Sequence, residues 1–183
     1  MRHDDARDPR VGTGTRPEPP SPSWRRFEAT LRAVVVGLLA VAVIAGATGM
    51  LGVAERNSGP VGDHHELTVT YAAVARPGLA APFSVHITSR NGTGLPAEVT
   101  VAVSLDYLGM FDQNGLDPEP ASSYADGDEV VWSFDVPAGL DRFSVDLDAR
   151  IEPGVQWRRI GRVRLVVEGE QVAATTISTW VLP

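Results

Sequence analysis

The sequence contains no cysteine and no lysine, and only four histidines. Without cysteine there is no disulfide, no thiolate metal site and no thiol nucleophile, so any folded region is held by its apolar core alone. All 16 basic residues are arginine, which reads as compositional bias. Catalytic signatures are also missing. No G-x-S-x-G hydrolase elbow occurs. His65-Glu66 opens like a zinc-protease motif, but position 69 is valine where the second histidine belongs. Gly92-Thr93-Gly94-Leu95-Pro96-Ala97 mimics a dinucleotide fingerprint, yet it falls between two strand-like segments with a proline and no following helix to receive a phosphate. Ser84 and His86 share a strand face without a third group to orient them. His64 and His65 are adjacent, and adjacent residues rarely supply a whole metal shell. These gaps point away from an enzyme.

One long uncharged run is present, from Ala33 to Val53. It is apolar all round, unlike a helix packed on a soluble core, and the rest of the chain is too small to bury it. At 1.5 Å per residue such a helix crosses a hydrocarbon core of about 30 Å. The expectation is a transmembrane helix over 31–54, an uncleaved signal anchor that places residues 33–53 in the lipid bilayer. Ala45-Gly46-Ala47 has the small-residue character of a cleavage site and is the competing reading. Arg16, Arg25, Arg26 and Arg32 precede the run and only Arg56 closely follows it, so the N-terminus is expected in the cytoplasm. Ala42, Ala45, Gly46 and Gly49 recur at i, i+3, i+4 and i+7, a small-residue face suited to close helix pairing with a second copy or with another membrane protein.

Residues 1–30 hold Pro9, Pro17, Pro19, Pro20 and Pro22 among charges and read as a disordered Pro/Arg-rich cytoplasmic tail. Trp24 and Phe27 beside Arg25 and Arg26 resemble an interfacial anchor. Residues 55–65 read as a linker. From 66 to 183 the apolar period becomes two, the mark of strands with one buried face. Seven strands are expected, around Leu67–Tyr71, Phe83–Thr88, Val99–Tyr107, Val130–Val136, Phe143–Ile151, Trp157–Val167 and Val172–Leu182. That pattern predicts an all-β, immunoglobulin-like antiparallel sandwich as the extracytoplasmic domain. The segments 142–151 and 157–167 look like a hairpin. Asp146 and Asp148 would then face Arg158, Arg162 and Arg164 as a structural charge ladder.

The charge is unevenly spread. Residues 1–32 carry seven Arg against five acids, and residues 57–183 carry eight Arg against seventeen, or 8 − 17 = −9. An acidic external domain argues against nucleic acid as a partner.

The loop 106–129 is long for a compact domain, and long ordered loops often carry recognition. Asp112, Asn114, Asp117, Asp126 and Asp128 make it a candidate calcium loop, since hard cations take several oxygen ligands from flexible segments. The spacing is not that of an EF-hand, and a solvated acidic loop without any cofactor is the plainer reading. Met110 and Phe111 at its base are candidates for a contact patch.

The stretches Arg76-Pro77-Gly78-Leu79-Ala80-Ala81-Pro82-Phe83-Ser84-Val85, Phe111 to Pro120 and Asp148 to Gly154 resemble a group of uncharacterised bacterial membrane-anchored proteins with an immunoglobulin-like ectodomain. More broadly, the domain is similar to adhesion-related modules of bacterial surfaces. The resemblance implies a fold, a place in the cell envelope and a non-enzymatic binding role toward an envelope protein or polysaccharide. It implies no catalytic residues. The alternative role is an accessory or assembly subunit of a polytopic membrane protein, acting through the helix.

Overall fold

The computed structural model describes residues 22–47, 52–90 and 92–183. The chain divides into two units, Met1–Ile44 and Ala45–Pro183. The first holds most of α1, which spans Pro22–Ala47. Proline suits a first helical position because its missing N–H would have no partner there. The window Arg26–Ile44 is apolar, long enough to cross a membrane and buried nowhere in the protein. Both a membrane span and a signal sequence have that character. The helix begins earlier than the uncharged run, and Arg32 and Glu28 pair across one of its turns at 3.9 Å.

The second unit is β sheet. Its strands are β1 (Ala54–Asn57), β2 (His65–Ala75), β3 (Phe83–Ser89), β4 (Glu98–Ser104), β5 (Phe111–Asp117), β6 (Ser122–Asp126), β7 (Glu129–Asp135), β8 (Arg142–Ile151), β9 (Trp157–Val167) and β10 (Glu170–Val181). A helical turn, α2 (Leu105–Leu108), follows β4. The ladder runs β5-β8-β3-β2-β10-β9-β4-β7-β6, with β1 added on β2. Its pairs are antiparallel except β2–β10, which are parallel at two positions, Trp180 with Val74 and Val181 with Ala75. This short junction joins the two halves.

The ladder curls over on itself. Phe134 of β7 and Phe143 of β8 lie far apart along it, yet their rings meet in a tilted contact with centroids 5.7 Å apart. Alternation explains the curl. Leu67 and Val69, Val85 and Ile87, Val99 and Val101, and Val163 and Leu165 are each fully buried and point to one side, so the two halves close over a shared core. Phe83, Tyr107 and Phe111 cluster at one end, with centroids 5.7–6.2 Å apart. The Tyr107 hydroxyl donates to Thr179 Oγ1 (2.8 Å), because the single Thr179 hydroxyl proton is donated to the carbonyl of Ala72 (2.6 Å). Buried polar groups thus satisfy one another across β2, β10 and α2.

Three expectations are corrected. Among the described residues there are ten strands, not seven. The additional β1, β5 and β6 lie in the segments read as linker and loop. Every residue of β1 and β6 is exposed, and β5 buries only Phe111. They carry no apolar alternation for a sequence to reveal. The sheet is not purely antiparallel. The segments 142–151 and 157–167 are not a hairpin either, since β8 pairs with β3 and β5 while β9 pairs with β10 and β4. The Pro153-Gly154 turn is followed by Val155, which is buried and carries the chain from one half to the other.

Candidate functional site

The acidic loop is divided by the fold. Asp112, Asn114 and Asp117 are on β5 at one end of the ladder; Asp126 and Asp128 belong to the β6–β7 hairpin at the other. Asp112 is engaged by Arg150 at 2.8 Å. Among the described residues no group of three or more His, Asp or Glu is arranged to hold a metal ion. Met110 and Phe111 are 1% and 6% exposed. They form core against Tyr107, not a contact patch, because α2 turns the chain inward just before them. On α1, Ala42, Ala45 and Gly46 lie within the helix, while Gly49 and residues 1–21 fall outside the described residues; the expected disordered tail over 1–30 is corrected from Pro22 onward, because Pro22 and the residues to 30 form the start of α1.

What the fold leaves open instead are two surfaces. One is the β6 edge. Ser122, Ser123, Tyr124, Ala125 and Asp126 pair with β7 on one side, and all five are exposed. Behind them Glu129 is buried, and the Arg164 guanidinium donates Nε–H bonds to both its carboxylate oxygens at 3.0 and 2.9 Å. Hydrogen bonding to Glu129 raises the already high pKa of Arg164. Since Glu129 is opposite Ser104 and Arg164 opposite Ala102, this pair reaches from β7 to β9 across β4. It fixes the hairpin that carries β6. A concavity of about 250 Å³ lies beside it, lined by Asp106, Asp128, Glu129 and Arg162 among others.

The other surface is the outward face at the β9–β10 end. Trp180 is half exposed there, and Ile160 and Leu182 are exposed; Trp157, 74% exposed, ends β9 at the opposite register position, paired with the buried Val181. The Arg158 guanidinium sits over the Trp180 ring, 5.8 Å from its centroid, and donates to Ser178 Oγ at 2.8 Å. Trp157 has φ of +74°. For a bulky residue that conformation costs on the order of 1–3 kcal/mol and tends to persist at functional positions. Sequence reasoning saw these residues only as strand termini. The Glu168-Gly169-Glu170 turn folds β10 back on β9, but it is the register shift between Gln171 and Ala173 that pairs Trp180 with Arg158 and Val181 with Trp157, and the sequence carries no signal for that shift.

No protein-family model matches this sequence, and no curated protein matches it. Among solved structures the chain is similar to the sixth cohesin of scaffoldin B from Acetivibrio cellulolyticus, solved in complex with a Cel5 dockerin mutant. The identity is 12% and the TM-score 0.42, over 60% of this chain and 94% of the cohesin. A second likeness is to the alkylpurine DNA glycosylase AlkC of Pseudomonas fluorescens, bound to DNA containing an abasic-site analog. Here the identity is 16% and the TM-score 0.32, over 72% of this chain but 32% of that one. Both overlays are too loose to assign this chain a family or a role.

Proposed function

We propose that this protein is a single-pass, membrane-anchored binding module of the bacterial cell envelope. Its N-terminus is cytoplasmic, its β domain is extracytoplasmic, and it performs no chemistry. The partition is a tail ahead of α1, a signal anchor along α1 and a β domain that opens with β1 at Ala54; the expected bounds 1–30, 31–54 and 55–65 give way because α1 starts at Pro22 and β1 is paired with β2. The observation that carries the binding role is the β6 edge. A terminal strand with an exposed face and a free side can accept a strand from another protein, with backbone hydrogen bonds supplying affinity. Tyr124 offers an exposed aromatic anchor at its centre. The acidic character of the domain favours a protein partner over nucleic acid.

In-cell photocrosslinking tests this reading. A photoreactive residue at Tyr124 captures a discrete envelope protein, and the same residue at Gln113 on β5 captures none. Equal capture at the two positions, or none at either, overturns it. The accessory-subunit reading rests on Ala42 and Gly46 of α1. If replacing the apolar window with poly-leucine abolishes partner recovery while β6 substitutions do not, that reading replaces the first.

A further inference from the structure

We propose that the β6 edge pairs with the β6 edge of a second copy of this chain, antiparallel, about a two-fold axis at Tyr124. This rests on the binding reading above and names the partner of that edge.

The first observation is which backbone groups the edge leaves unused. The N–H of Leu105 donates to the carbonyl of Asp128 at 2.7 Å, and the N–H of Val136 donates to the carbonyl of Ala97 at 2.8 Å. Both bonds continue the β4–β7 register, in which Ser104 faces Glu129 and Glu98 faces Asp135. Bonded and unbonded pairs alternate along an antiparallel ladder. The even-numbered residues of β7 therefore bond toward β4, and Glu129, Val131 and Ser133 bond toward β6. Their partners there are Asp126, Tyr124 and Ser122. The two-residue turn agrees: Gly127, at φ +60°, and Asp128 close on the pair Asp126 and Glu129. Ser123 and Ala125 are left with N–H and C=O directed away from β7.

The second is symmetry. Ser123 and Ala125 flank Tyr124 on either side. A copy related by a two-fold axis at Tyr124 places its Ala125 opposite Ser123 and its Ser123 opposite Ala125. Each pair exchanges two hydrogen bonds, and neither edge keeps an unused group. Moving the axis to Ser123 would set Ala125 against Ala121, whose N–H is already donated to the Ser133 carbonyl at 2.8 Å. Moving it to Ala125 would set Ser123 against Gly127, which is in the turn. A contact of this kind is isologous and closes at two copies.

The third is what the side chains meet. Tyr124 faces Tyr124 of the second copy in an unbonded pair, with Cα atoms about 4.5 Å apart. Side chains approach most closely in such pairs, and aromatic ones stabilise a sheet. Asp126 is the one charged residue of β6, and it faces the Ser122 hydroxyl of the second copy, an acceptor opposite a donor. The two Asp126 carboxylates are four residue steps apart along the strands, about 13 Å. That exceeds the screening length of about 8 Å at physiological salt. The register thus sets no like charges opposite one another, although each domain carries 8 − 17 = −9 over residues 57–183. One pair of five-residue strands is small beside the roughly 1,200 Å² of a stable interface, so the copies associate reversibly.

The test uses the full chain in membranes, where its lack of cysteine permits single-site crosslinking. Tyr124→Cys, Asp126→Cys and, on β5, Gln113→Cys are each oxidised with copper phenanthroline. An unbonded antiparallel pair lies within the disulfide range of about 4.4–6.8 Å between Cα atoms. Tyr124→Cys is expected to form a disulfide-linked dimer severalfold faster than either of the others. Ser122→Cys combined with Asp126→Cys, which retains the tyrosine pair, matches it. Adding Ala125→Lys to Tyr124→Cys removes the dimer without moving the melting curve. Higher salt raises the yield by screening two acidic domains, whereas it would lower capture of a basic partner. Equal crosslinking at 124 and 113 means that collision or pairing of α1 brings the copies together, and overturns the inference. Equal crosslinking at 124 and 126 overturns the register. If no variant dimerises while a photoreactive residue at Tyr124 still captures a different protein, the second copy is overturned and the β6 binding reading stands. If neither crosslink forms, both fall.

Discussion

The two ends of the β ladder are both terminal strands, and they are built in opposite ways. β5 is tied down at its base and broken along its length. Phe111 sits in the core between Phe83 and Tyr107, and Asp112 pairs with Arg150. The register against β8 slips between Gln113 and Gly115. A bulge and charged side chains are the usual devices that stop a sheet edge from recruiting another strand. β6 has neither. It keeps regular register with β7 from Ser122 to Asp126, and its only charge is at the turn. One edge is blunted and the other is left open. An open edge kept beside a blunted one is the pattern expected where one of them has a partner. The comparison yields predictions that differ by an order of magnitude between the two ends.

The largest difference is expected from removing the β5 anchor. Phe111→Ala takes a 6%-exposed ring out of the aromatic cluster and leaves a cavity, at a cost of about 3–5 kcal/mol. Urea unfolding of the full chain in detergent reads it as a lower midpoint. Tyr124→Ala at the centre of β6 stays within about 0.5 kcal/mol, because an exposed side chain away from any special feature contributes little. Equal losses at the two positions would break the comparison.

A smaller effect is expected one layer behind β5. A methyl group built on Gly161 of β9 would lie 2.5 Å from Tyr107 Cγ and 2.7 Å from Cδ2. Tyr107 is fully buried and its hydroxyl is bound to Thr179, so the ring has nowhere to go. Gly161→Ala therefore costs about 1–3 kcal/mol through overpacking. Hydrogen exchange sharpens the contrast: Gly161→Ala speeds exchange at Phe111 and Asp112, while exchange along β6 is unchanged.

The same ring gives a pH dependence. Burial raises the Tyr107 phenol above its ordinary value, and the Thr179 hydrogen bond only partly offsets this. An unfolded tyrosine loses its proton near pH 10. The folded protein retains that proton to higher pH, so the unfolded state binds fewer protons above that point and stability falls. The Tyr107 contribution is intact below about pH 10 and declines by up to about 1.4 kcal/mol per pH unit beyond it. Tyr107→Phe removes that slope. If wild type and variant lose stability in parallel between pH 9 and 11.5, roughly the range accessible above the ordinary tyrosine value, burial of this phenol is not what limits alkaline stability.

The same contrast shows what a sequence of this kind discloses. Strands with a buried face were legible because alternation is the imprint of a face: Val99, Val101 and Val103, or Val145, Leu147 and Ala149, could hardly be read otherwise. β1, β5 and β6 were not, because a strand held by backbone pairing at an edge needs no such alternation. The acidic residues at 112–128 suggested one loop because they are close in sequence. The chain instead crosses from one end of the ladder to the other at Asp117–Ser122, which separates them. Tyr107 was legible as core, but Met110 and Phe111 were not, since a helical turn between them and β4 reverses the strand parity. The Trp180–Arg158 pairing depends on a register shift between Gln171 and Ala173, which local periodicity does not encode. Charge complementarity misled as well. Sign alone matches Arg164 to Asp146 or Asp148 across a 142–167 hairpin, yet its partner is Glu129.

The smallest effect on stability is expected to have the largest effect on binding. Ala125→Lys places a charge on a flat edge at an exposed position, so the melting curve moves by no more than about 0.5 kcal/mol. A strand approaching along β6 would have to accommodate that ammonium beside its own backbone, which is how natural edges refuse partners. Crosslinking from Tyr124 should therefore disappear in Ala125→Lys, while the protein accumulates to its normal level and unfolds at its normal midpoint. The matching change on β5, Asn114→Lys, adds the same charge to an edge already bulged and paired, and should alter neither property. Loss of crosslinking in both variants would mean that the domain's overall charge governs the interaction. Persistence in both would mean that the open edge is not where the partner docks.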